Sequence, residues 1–195
     1  MTANPTTSEK ILLATIDLMA EKGYDGTTTK EIALAAGVNE VTLFRRFRTK
    51  EKLLEAAFSR FHYGDEMTRL FNEGLKGHLH EDLLTVSRTY HNIMNRNRKL
   101  ISVALKGSST LPDSVLQEAS RNPKHLKSLL VNYLTTMSSE GKVVSSNPEI
   151  QALSFMWMNY GAFISTLNAK EAVSEGTLDE FIEESVSIFT KALSP

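Results

Sequence analysis

Cysteine is absent from all 195 residues, which excludes a disulfide framework, a thiolate metal site and a cysteine nucleophile. No uninterrupted apolar run of about 18 residues occurs, the length that a membrane-crossing helix requires. The start, MTANPTTSEK, has no apolar signal region. Glycine-rich phosphate loops and a nucleophile elbow are missing. So is any Glu-x-x-His pair of the kind that holds iron in a helical bundle. His78, His80 and Asp82 step by two, but they fall in an expected solvated loop. The chain therefore reads as cytoplasmic and non-enzymatic, with no membrane association, no catalytic residue, no metal and no cofactor. Charge of one sign is also scarce. The net charge is −1, which argues against an architectural protein that coats or bends DNA, since such proteins carry strongly positive surfaces.

What is present is ordinary globular material, 41% hydrophobic and 23% charged. Residues 1–60 carry nine Lys or Arg against eight Asp or Glu. Within RRFRTKEK (45–52) there are five basic residues and one acid, a run that gains meaning only from the motif beside it.

Nearly every segment has helical rather than alternating periodicity, so the expected fold class is all-α. Thr6-x-x-Glu9 and Thr28-x-x-Glu31 are capping boxes, opening helices that end near Gly23 and Ala35. Asn39 suits the N-cap of a third helix. Thr49 opens a long helix from Lys50 to about Leu75. Further helices are expected at 81–95, 97–106, 113–120, 124–139, from Pro148 to about Asn168, and from Leu178 to Leu193.

The second and third helices, joined at Gly37, have the form of a helix-turn-helix. At 100° per residue, Leu43 and Phe47 share one face and can pack on Ile32, Ala33 and the first helix. Val41, Thr42 and Arg45 fall opposite, flanked by Phe44 and Arg46. One face anchors and the other is left to read something.

Residues 10–58, containing GYDGTTTKEIA, AAGV, TLFRRF and TKEKLL in that order, closely resemble the DNA-binding region of the tetracycline-repressor (TetR) family. The resemblance implies a helix-turn-helix DNA-binding domain over residues 1–50 and a larger ligand-binding and dimerisation bundle over 51–195. By the same resemblance, Asn39 to Phe47 is the recognition helix. Val41, Thr42 and Arg45 face the major groove, and Glu40 sits where a base is often contacted. Lys30 reaches guanine or phosphate, and Thr28, Thr29 and Lys50 meet phosphates. Two residues depart from the family: Phe44 replaces a usual tyrosine, and Arg46 stands where histidine or tyrosine is common. That arginine supplies a charged contact to phosphate.

Beyond residue 60 the motifs stop, and the resemblance implies a function rather than residues. It points to a transcriptional regulator, most simply a repressor, which binds a palindromic double-stranded operator as a homodimer. A small apolar or aromatic effector would release it. Helical-bundle ligand binding or architectural DNA binding without an effector are the alternatives. The middle of the chain supplies candidates for pocket walls: Phe58, Phe61, His62, Tyr90, Met94, Tyr133, Met137, Phe155, Asn159 and Phe163. Met and aromatic walls suit such a ligand. The last two helices supply the expected dimer interface, through Trp157 and the stripe Phe181, Ile182, Val186 and Phe189.

Overall fold

A computed structural model of the chain describes residues 4–107, 109–144, 146–167 and 177–195. Among these residues there are eleven α-helices and no strand. They are α1 (Thr7–Lys22), α2 (Thr29–Ala35), α3 (Glu40–Phe47), α4 (Lys50–Arg60), α5 (Gly64–Arg69), α6 (Leu79–Arg96), α7 (Arg98–Lys106), α8 (Asp113–Ala119), α9 (Arg121–Ser139), α10 (Pro148–Leu167) and α11 (Leu178–Leu193). Asn168, the expected end of α10, lies outside the described residues.

The helix starts follow from side-chain caps. Thr6, Thr28 and Thr177 each close a capping box with the glutamate three residues on, and Thr49 accepts from the Lys52 amide. The boxes at Glu9 and Glu31 are reinforced by ion pairs to Arg60 and Lys22, both 2.8 Å. The Arg60 guanidinium, then Thr6, holds the Glu9 carboxyl down at about 2. Lys22, then Thr28, does the same for Glu31, also to about 2. A carboxyl depressed on folding stabilises the fold above its unfolded pKa, and that contribution fades as pH falls from about 4.5 to about 2. Acidification through that window should therefore lower the melting temperature, and less steeply in Glu9→Gln and Glu31→Gln. Equal slopes in wild type and variants would show that the boxes carry no such linkage.

The chain divides into two compact units, residues 1–62 with 97–121, and 63–96 with 122–195. The first unit thus extends beyond residue 50 and recruits a distant segment. Its core explains why. Ile11, Met19, Ile32, Leu43, Leu53 and Leu54 form one buried cluster with Leu100, Val103, Leu111 and Val115. α7 packs on α1, and α8 on α4.

The expected helix from Lys50 to Leu75 is broken. α4 stops at Arg60, and α5 starts at Gly64 after a bend through Phe61, His62 and Tyr63. Residues Leu70–Gly74 then form a π-helical turn. Apolar residues keep a helical spacing across the break, so periodicity alone reads straight through it. Gly64 is a poor helix former, and the unit boundary falls at this bend.

In the second unit, α6 packs against α10 and α11, which also pack on each other. The start of α6 is organised by Asp82, 2% exposed. Its carboxylate accepts from the amides of Lys76 and Gly77 (2.8 Å each), from that of His78 (3.1 Å) and from the Tyr133 hydroxyl (2.8 Å). The expected solvated loop is thus corrected at Asp82, a buried cap rather than a surface acid. His80 turns elsewhere, its Nδ1 lying 3.2 Å from Thr190 Oγ1.

Candidate nucleic-acid interface

α3 is short, and its position depends on what lies beneath it. Leu43 is fully buried and Phe47 half-buried against the first unit's core. Gly37, at φ +66°, makes the turn from α2, a conformation that other residues adopt only with strain. Asn39 caps α3 by accepting from the Val41 amide at 2.9 Å. Arg48 ends the helix at φ +65°, unusual for a residue with a Cβ.

On the outer face, Val41 is 72% exposed and Phe44 43%. Arg45 is exposed as well, and Thr42 is half-buried. The side chains of Lys30 and Arg45 have no hydrogen-bond or ion-pair partner among the described residues. The remaining expected DNA contacts are already engaged within the chain. Thr28 serves the α2 capping box. The Thr29 hydroxyl donates to Glu40 Oε1 at 2.7 Å, tying the start of α2 to the start of α3. Arg46 Nη1 donates to Ser8 Oγ at 2.9 Å, a weak surface contact that phosphate can replace.

Lys50 is held most firmly. Its ammonium donates to the carbonyls of Tyr24 (2.9 Å) and Thr27 (3.2 Å) and lies 4.2 Å from the Tyr24 ring centroid. Carbonyl bonds and a cation–π contact make it a clamp on the loop between α1 and α2. Sequence periodicity gave no sign of this, because the carbonyls that Lys50 binds have no identity in the sequence.

The expected pocket residues divide between the units. Phe58, Phe61 and His62 belong to the first. Phe58 is buried, Phe61 half-buried and His62 exposed. The others lie in the second unit, where Tyr90, Met94, Met137, Phe155, Asn159 and Phe163 are buried. Tyr133 is half-buried, and its hydroxyl is already spent on Asp82. His91 is also buried, and no motif or spacing in the sequence marks it.

The expected dimer stripe splits in two. Ile182 and Val186 are 3% and 0% exposed in the single chain, so they belong to its interior. Phe189 is half-buried, its ring centroid 5.5 Å from that of Phe155. The apolar residues left outside are Phe181 and Ile188 on α11, and Ile150, Trp157 and Tyr160 on α10. Ile188 lies seven residues from Phe181, and Trp157 seven from Ile150, so each pair shares a helix face.

Residues 11–57 match the model for bacterial regulatory proteins of the tetR family. The uncharacterized HTH-type transcriptional regulator YvkB of Bacillus subtilis is 33% identical over 188 residues, spanning 96% of this chain and 97% of that protein. Among solved structures, the transcriptional regulator FadR of Bacillus subtilis, in complex with stearoyl-CoA, superposes with a TM-score of 0.76 at 17% identity. It covers 94% of this chain and 98% of its own. AibR, in complex with isovaleryl coenzyme A and operator DNA, gives a TM-score of 0.69 at 20% identity, covering 94% and 97%. The two low-identity structures share the fold, an N-terminal helix-turn-helix followed by a helical domain. With the matched helix-turn-helix and a full-length relative, the chain belongs to the TetR family of transcriptional regulators, which are not enzymes.

Proposed function

We propose that this chain is a cytoplasmic, ligand-responsive repressor that binds a palindromic operator as a homodimer and is released by a small, mainly apolar or aromatic molecule. The observation that carries the DNA reading is the uncommitted outer face of α3. Arg45 and Val41 project from a helix anchored on the opposite side, and Lys30, near the start of α2, has no partner among the described residues. Arginine suits a guanine edge and an apolar side chain suits a thymine methyl group. Ligand response is supported by the buried aromatic and methionine content of the second unit and by the acyl-CoA complexes of FadR and AibR.

Binding of effector to the second unit would favour a dimer arrangement in which the two recognition helices no longer match successive major grooves. Coupling of this kind is typically worth about 1–3 kcal/mol. Selection of duplexes by the purified protein, followed by a small-molecule panel scored by release of the selected DNA, tests both halves. Equal affinity for selected and scrambled duplexes would refute the sequence-specific reading.

Single substitutions separate the basic residues by role. Arg45→Ala should weaken operator binding by about 1–3 kcal/mol and relax preference at one base step. Arg46→Ala should weaken all duplexes alike and flatten the log–log salt slope by about 0.9. Lys50→Ala should chiefly lower the melting temperature, since the ammonium serves the Tyr24 and Thr27 carbonyls. Lys50→Ala with unchanged melting and a flatter salt slope would return that residue to the phosphates.

A further inference from the structure

Among the described residues of the second unit, one buried side chain has polar needs that its neighbours leave unmet. His91, in α6, is 2% exposed, and neither Nδ1 nor Nε2 has a hydrogen-bond partner among the described residues. The groups around it are otherwise settled. Ser87, one turn earlier on α6, donates to Asn159 Oδ1 on α10. Asn159 Nδ2 donates to the Phe155 carbonyl at 2.9 Å. The Tyr90 ring meets the imidazole edge-on, with centroids 5.5 Å apart and planes at 84°. Asn159 is near enough to favour the protonated ring, without reaching hydrogen-bond geometry to it. Burial outweighs that influence and pushes the ring's pKa below its ordinary value. Burial thus favours the uncharged ring.

A neutral imidazole offers one N–H donor and one lone pair. Buried polar atoms are nearly always paired, and leaving them unpaired is unfavourable. An apolar residue of similar size would spare the unit that penalty, so the histidine does nothing for the packing that a leucine or phenylalanine could not do.

Resting on the ligand-responsive reading above, we propose that His91 is the polar anchor of an effector site at the seam of α6 and α10, and that the effector is a neutral, mainly apolar molecule bearing a hydroxyl, of the phenol or alcohol class. A hydroxyl can donate to the imidazole lone pair or accept from its N–H. The apolar remainder suits the buried Tyr90, Met94, Phe155 and Phe163 on the same two helices. An anion fits poorly. α10 carries no Lys or Arg at all. The two arginines of α6 are engaged, Arg88 with Asp179 and Glu183, and Arg96 with Glu66. A carboxylate at this seam would be buried without a fixed cation to balance it.

The test measures binding to the full-length protein by calorimetry and melting temperature, with four matched probes: 4-propylphenol, 4-propylanisole, propylbenzene and 4-propylbenzoate. The phenol should bind about tenfold or more tighter than propylbenzene, about 1.4 kcal/mol in free energy, and benzoate weakest. In His91→Phe and His91→Asn the phenol's advantage over propylbenzene should shrink at least threefold. In ¹⁵N-histidine spectra of the wild type, the His91 ring nitrogens should shift on adding the phenol. Equal affinity for phenol and propylbenzene, an advantage that survives in both variants, tightest binding of benzoate, or no binding of any probe would each overturn the proposal. If a variant fails to fold, the wild-type spectra and probe ranking still decide. Phenol binding that depends on His91 yet leaves operator affinity unchanged would uphold this site and refute ligand control of DNA binding instead.

Discussion

Leu43→Ala is expected to destabilise the first unit by about 2–5 kcal/mol and to abolish tight operator binding, although nothing on the DNA-facing side has changed. Leu43 is fully buried in the cluster that joins α1, α2, α4, α7 and α8. α3 has only eight residues, far fewer than an isolated helix needs to persist in water. Its orientation is thus borrowed from Leu43 and the half-buried Phe47. Urea denaturation should show a lower midpoint, and gel shift a loss beyond that of Arg45→Ala. A Leu43→Ala protein of near wild-type stability and affinity would mean that α3 is positioned by something other than its buried face.

The second large effect concerns the outer face of α10 and α11. Trp157 and Ile188 are 66% and 67% exposed in the single chain, so the double substitution Trp157→Asp, Ile188→Asp should change the folding of one subunit by less than about 1 kcal/mol. If these residues meet a second copy, two unpaired carboxylates would be buried there at several kcal/mol. Sedimentation should then show a folded monomer. Operator affinity should collapse, because a dimer joins two recognition helices one DNA turn apart, about 34–36 Å. A double variant that stays dimeric and binds normally would remove this face from the interface. Phe189→Asp is a poorer probe. It would also break the contact with Phe155 and confuse unfolding with dissociation.

Local signals in the sequence were the readable ones. A threonine followed three residues later by glutamate marked the starts of α1 and α2, and Gly37 marked the turn before α3, because each motif satisfies backbone groups within one or two turns. The inward face of α3 was readable for the same reason. Partnership between distant segments was not. Ile182, Val186 and Phe181 share a helical spacing, and nothing in that spacing shows that α6 and α10 claim part of the stripe. Asp82 reads as a surface acid until three loop amides close around it. Lys50 reads as a cation for phosphate until its two carbonyls are seen. Each involves a partner that the periodicity of one segment cannot reveal.

The first unit is assembled from two stretches of chain, and this has a consequence for its biosynthesis. When residue 62 leaves the ribosome, the helix-turn-helix is complete in sequence but still lacks Leu100, Val103, Leu111 and Val115, which finish its core. At about 5–20 residues per second, the nascent domain waits roughly 3–12 s for residue 121 to emerge, with the undersides of α1 and α4 uncovered. During that interval it is a client for whatever shields apolar surface at the tunnel exit. Removing the segment 97–121 while keeping every residue that faces DNA should therefore yield an aggregating fragment rather than a minimal DNA-binding domain.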